Sequence, residues 1–234
     1  MKYFFFILLL LSMLVKGNTQ TRSYPFYQLY QLDSIGHSSS IGRHFGDLYY
    51  RFLQLVEKEL EKEDTATQRL VRHFEMVFAQ FYIDACVAYR NHTEILLPAW
   101  RAYFADSTLE RVRYNLLGTN AHLNGGLAEA IAGSYTQKEW NSLKKKYGLF
   151  NKCLNKIFNQ VYEETIATNK RARILGLVFL GSDRVLGKYY LYKWRKRQMR
   201  LTEYYFEGSA KYKPLSEKIN SEKERIDKLV FIKL

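Results

Sequence analysis

What most constrains this chain is an almost unbroken helical rhythm, with only three prolines in 234 residues to interrupt it. Apolar residues recur every three to four positions. No run of four to eight residues alternates apolar with polar between turns, as a half-buried strand would. Proline removes a backbone donor and breaks helix interiors, so its scarcity leaves long helices open. The pattern predicts an all-α, single-domain multi-helix bundle.

The first helix is expected from about Ser40 to Glu63, with Ile41, Phe45, Leu48, Phe52, Val56 and Leu60 on one face. Thr65-x-x-Gln68 reads as a capping box for a second helix to about Tyr89, with Leu70, Phe74, Val77, Phe78, Phe81 and Tyr82 as its stripe. Pro98 suits the first turn of a short helix containing Trp100 and Phe104. Ser107-x-x-Glu110 is expected to cap a helix that reaches Leu127 or Ile131 unless Gly125-Gly126 breaks it. Thr136-x-x-Glu139 caps another, running to about Val161. A short apolar segment, Ile174 to Leu180, leads into a long helix from about Ser182 to Phe206.

The two ends differ from this domain. Lys2 and the 13-residue apolar run Tyr3 to Val15, followed by Lys16-Gly17, read as a cleaved signal peptide over residues 1–17. A membrane-spanning helix needs about 20 apolar residues, and no Cys follows the run to carry a lipid anchor. The expected location is therefore secreted or periplasmic. Residues 18–39 form a polar leader, 40–207 the helical domain, and 208–234 a basic amphipathic tail with a helix from Leu215 to about Leu229. Two cysteines exclude a disulfide-stapled scaffold and a four-Cys zinc site. Cys86 and Cys153 suit either a pair or two buried thiols.

The net charge of +13 is unevenly spread. Residues 1–135 carry 13 Lys+Arg against 13 Asp+Glu, and residues 136–234 carry 23 against 10. The densest basic run is Lys193 to Arg200. On a helical wheel Trp194 and Arg197 share the stripe of Leu186, Tyr190, Leu201 and Tyr204, while Arg195 and Lys196 point elsewhere, so the charge is split around the helix. An exported protein rarely meets nucleic acid, and none is expected as a partner. Weak contact with an anionic surface through Lys193, Arg195, Lys196 and Arg200 is the expected use of this charge.

The sharpest functional signal is polar side chains on stripes that should be apolar. Leu109, Val112, Leu116, Leu117, Leu123, Leu127 and Ile131 mark the core arc of the fourth helix, yet Asn120 and Asn124 sit within it and Arg113 at its edge. Burying an unpartnered amide costs about 1–3 kcal/mol, so these groups need partners or a ligand. His122 points to the opposite side, beside Gly118 and Gly125, where missing side chains would let another element come close. Gln80 and Asp84 on the second helix, and Asp183 at the start of the long one, are the candidate companions. Arg113 with Asp84 or Asp183 is the expected ion pair. There is no HExxH, P-loop, GxSxG or dinucleotide glycine motif, so the cofactor remains unassigned and no close pair of metal ligands stands out.

Leu117-Gly118-Thr119-Asn120-Ala121-His122-Leu123-Asn124 resembles the central G-x-N-A-H-[IL]-N signature of the bacterial domain-of-unknown-function family numbered 5995. Gly46-Asp47 with Tyr49, Tyr50 and Phe52, then Val77 to Tyr82, Pro98-Ala99-Trp100 and Asp183 to Gly187 are similar to its flanking segments, over about residues 41–206. The resemblance implies an all-helical domain and no particular activity. The family's pattern continues with Asp and Pro, where this chain has Gly125-Gly126-Leu127-Ala128. A carboxylate that would complete a metal or acid–base set is missing. Three functions remain open. One is a small-ligand site built from Asn120, His122, Asn124, Arg113, Gln80, Asp84 and Asp183. Another is a hydrolase acting on a phosphoester or lipid, with His122 as catalytic base or, in a metal-dependent form, as a metal ligand together with Asp84 or Asp183. The third is a structural or interaction protein whose polar network only fixes the fold.

Overall fold

A computed structural model describes residues 40–168 and 182–231, together with Gln28, Tyr30, Gln31, Leu32, Ser34 and Ile35. The expected signal peptide and the Ile174 to Leu180 segment lie outside the described residues. Among the described residues all regular structure is helical: α1 (Ser40–Leu60), α2 (Thr65–Arg90), a 3-10 turn (Pro98–Trp100), α3 (Arg111–Gly125), α4 (Leu127–Ser134), α5 (Gln137–Leu143), a second 3-10 turn (Lys144–Tyr147), α6 (Gly148–Thr168), α7 (Ser182–Phe206) and α8 (Tyr212–Val230).

Local chemistry explains the boundaries. α5 starts with the expected capping box, Thr136 with Glu139, but it ends after seven residues and a 3-10 turn redirects the chain into α6. α2 is capped one residue earlier than expected. Asp64 Oδ1 accepts from the Thr67 N–H at 2.8 Å, while the Gln68 amide donates to the Glu63 carbonyl. α3 begins at Arg111 with no side-chain cap, and the chain does break at Gly126, so the fourth expected helix becomes α3 and α4.

α3 is the hub. It packs against α1, α7, α8 and the Pro98–Trp100 turn, and touches α4 across the break. Tyr114, Leu117, Gly118, Asn120, Ala121, His122, Leu123 and Asn124 are all buried, covering both of its sides. Two glycines make this possible. A Cβ on Gly118 would overlap the Phe45 ring and stand 2.8 Å from the Phe45 Cβ, and one on Gly125 would overlap the Ala99 side chain. Leu116 departs from the expected arc, being 51% exposed.

The core has two main halves, one around Phe45, Tyr82, Trp100, Tyr103 and Leu117, the other around Phe74, Phe78, Leu127, Trp140 and Phe150. Leu32 and Ile35 from the polar leader join the first half. Pro214 falls in the first turn of α8, where its missing donor costs nothing. α8 lies along α3 with Ile219, Lys223 and Asp227 buried.

Candidate functional site

The two sides of α3 have unlike chemistry. On the side facing α8, Asn120 is fully enclosed. Its Nδ2 donates to the Lys223 carbonyl at 2.9 Å and to Asp227 Oδ1 at 2.8 Å. Its Oδ1 accepts from Asn124 Nδ2 at 2.8 Å. Lys223 and Asp227 pair with each other one turn apart on α8. The Asn124 carbonyl in turn accepts from Gln198 Nε2 at 2.9 Å, and Gln198 Oε1 accepts from the Ala128 N–H at 3.2 Å. Gln198 thus satisfies two backbone groups that the Gly126 break leaves without helical partners. The two asparagines are a clamp joining α3 to α8 and α7, with both side-chain groups of Asn120 occupied by protein.

Arg113 belongs to the same seam. Its Nη1 donates to the Val230 carbonyl at 2.8 Å, at the C-terminus of α8, where a cation is favoured. The expected Arg113–Asp84 pair does not form, because Asp84 is exposed on α2 and accepts from Gln80 Nε2 at 2.7 Å. Gln80 and Asp84 are therefore not gathered with the asparagines. The side chain of Asp183 lies outside the described residues. Among the described residues no three His, Cys, Asp or Glu side chains converge as a metal site.

On the other side of α3 is a cavity of about 820 Å³. α1, α2, α3, α6, α7 and α8 all contribute to its wall, and Phe45, Phe52, Leu123, Leu154, Ile157 and Trp194 typify the lining. Leu48 and Phe52 of the expected α1 stripe are only half-buried because they face this space. Its mouth is marked by lining residues that remain accessible, Leu116, Tyr190 and Leu229. The cations Lys193 and Arg225 line it too, as does the Arg197–Glu222 pair.

His122 is in this wall, separated by the thickness of α3 from the asparagines. Its ring stacks on Phe78 with centroids 3.4 Å apart and meets the edge of Tyr49 at 4.4 Å. Neither ring nitrogen has a hydrogen-bond partner or solvent access, and the buried Asn115 Oδ1 is likewise unpartnered. Burial holds the imidazole pKa well below its ordinary value, so the ring is neutral.

A further buried polar group is not among the residues that the sequence pattern singles out. Glu75 on α2 is buried between the apolar residues Phe74 and Phe78, and accepts from the Tyr49 hydroxyl at 3.0 Å. Burial pushes its carboxyl up to about 8, against the pull of Tyr49 and of the Arg195 charge. Arg195, expected among the surface cations, is 4% exposed. It donates to Asn151 Oδ1 and lies over the Tyr147 ring at 4.9 Å. The helical wheel places it away from the core because the bulky apolar stripe of α7 is not its enclosed face. Tyr190 and Leu186 are in fact open to solvent, and the enclosed face of α7 is Arg195, Gln198, Leu201 and Thr202. The signal that marks Glu75 is the one that marks Asn120, a polar side chain on an apolar arc.

These features define an all-helical protein with a polar clamp on one side of its central helix and an aromatic cavity on the other. The chain belongs to the family described as a Family of unknown function (DUF5995), which it matches over residues 29–230. That is the family that Leu117 to Asn124 resembles. No curated protein and no solved structure matches it.

Proposed function

We propose that this chain is an exported binding protein for a small, elongated apolar molecule held in the cavity between α1, α3, α6 and α7. The cavity itself carries the reading. Its volume of about 820 Å³ falls within the range of about 300–1,000 Å³ usual for ligand pockets, which combine an apolar lining with a few placed polar groups. Here those groups are Tyr49, Glu75, Asn115, His122 and Arg195. An accessible mouth at Leu116, Tyr190 and Leu229 gives a route of entry. The proposed export rests on the apolar run after Lys2. Lys193, Lys196 and Arg200 remain available for weak contact with an anionic surface.

The hydrolase alternative draws on His122 and Glu75 sharing one cavity. It is disfavoured by the closed imidazole. A general base works within about 3 Å of the proton it takes, and the His122 nitrogens reach neither solvent nor a partner.

The test is mass spectrometry of organic extracts from purified protein, followed by titration with a homologous series of straight-chain alcohols. Each buried methylene is worth about 0.8 kcal/mol, about fourfold in Kd, so affinity should climb steeply with chain length and stop when the cavity is full. A flat series with no co-purifying molecule refutes the proposal.

A further inference from the structure

Arg195 is an unexpected neighbour for an apolar cavity. It lines the space, is almost wholly enclosed, and forms no ion pair among the described residues. Its guanidinium is held instead by neutral groups, the Asn151 side-chain oxygen and the faces of Tyr147 and Phe150. Arginine is almost never fully buried without a charged partner, because desolvating a cation with no opposite charge is expensive.

Glu75 is the carboxylate whose field reaches Arg195, but burial favours its protonated form and its Oε2 is already taken by Tyr49. His122 beside it is neutral. At neutral pH the floor of the cavity therefore has one positive charge and no fixed negative one. A guanidinium presents a planar fork of donors that matches a carboxylate with two parallel bonds.

We propose that the cavity takes a long-chain carboxylic acid, its carboxylate on the Arg195 guanidinium and its chain directed toward the mouth at Leu116 and Leu229. This deepens the binding role proposed above and rests on it. The competing head site is the mouth, where Lys193 and Arg225 stand. There the charges are in contact with water, and an ion pair between exposed groups gains little. Arg195 is already desolvated, so a carboxylate meets it without that screening.

The experiment uses the full chain loaded with an environment-sensitive naphthylamine dye and measures displacement by hexadecanoic acid, hexadecanol and methyl hexadecanoate. The acid is expected to displace the dye at a concentration at least tenfold below the alcohol and the ester. Arg195→Met should bring the three together by weakening the acid alone. If Arg195→Met does not fold, Arg195→Lys keeps the charge without the fork and should narrow the ratio. In either case the wild-type comparison stands by itself. Equal displacement by acid and alcohol in the wild type overturns the proposal, as does a preference that survives in folded Arg195→Met. Loss of the preference in Lys193→Gln/Arg225→Gln instead places the head at the mouth and also overturns it. If the dye and all three amphiphiles fail to bind, the cavity reading itself falls.

Discussion

Replacing Asn120 by alanine would remove three hydrogen bonds from a site with no solvent. Two are to neutral partners, the Lys223 carbonyl and the Asn124 amide, and one is to the Asp227 carboxylate. Neutral bonds contribute about 1 kcal/mol each and those to charged groups about 1.5–3 kcal/mol, so the expected loss is about 3–5 kcal/mol. That is a large share of the roughly 5–15 kcal/mol that keeps a domain folded. In a chain of this size it lowers Tm by about 2–4 °C per kcal/mol. Equilibrium urea unfolding is the assay, with the midpoint falling and the slope unchanged. Asn120→Asp should cost more at pH 7, because it replaces the donor with a second carboxylate facing Asp227. Ligand binding by the folded fraction should persist in Asn120→Ala, since the cavity is on the far side of α3. A stability loss below about 1 kcal/mol, or a folded variant that no longer binds, refutes the separation of clamp from cavity.

Gly118→Ala should destabilise by about 1–3 kcal/mol through overpacking against Phe45, although the same change in an exposed helix stabilises by about 1 kcal/mol; a rise in Tm contradicts the packing described. The Glu75 carboxyl, raised to about 8 when folded, binds its proton in the folded chain where the unfolded chain has already released it. Its contribution is therefore complete below about pH 4.5 and is lost as pH rises through 8. His122, lowered by burial, acts in the opposite sense below its ordinary pKa of about 6.5, so the window from about 6.5 to 8 isolates Glu75. Stability there should fall by at most about 1.4 kcal/mol per pH unit, and Glu75→Gln should flatten the slope; an unchanged slope refutes the assignment. Cys86 and Cys153 are both buried free thiols, raised by burial to about 12 and about 11. Both should resist Ellman's reagent until the chain is denatured, and prompt reaction of the native protein would contradict their enclosure.

The sequence was readable where its signals are local. The helical periods, the Thr136 cap and the Gly126 break each depend on neighbours a few residues apart, and Asn120 and Asn124 declared a need for partners because amides on an apolar arc cannot stay unsatisfied. The identity of those partners was not readable. Lys223 and Asp227 are more than a hundred residues away, on a helix whose own pattern looked like that of a solvated tail. α7 misled for a related reason. Its bulky aromatics suggested a core face, but an aromatic side chain can line a cavity mouth as readily as fill a core, and the enclosed face is polar because it is hydrogen-bonded. Asp64 displaced Thr65 as the cap because both residue types suit the position and a one-residue shift leaves the periodicity intact.

A cavity of this size and a clamp of this kind belong together. Interiors normally hold their helices in register by close packing, and α3 lacks that support along the side where the cavity runs. Apolar contacts are non-directional, so the residues around an open space could rearrange to close it. The bonds from Asn120, Asn124 and Gln198 are directional, and they fix α3, α4, α7 and α8 from the opposite side. Gly118 and Gly125 do the same sterically, by allowing Phe45 and Ala99 seats that admit little sliding. The asparagines therefore hold the helices in register from the far side of α3, and the polar side chains that face the open space include His122, Glu75 and Arg195.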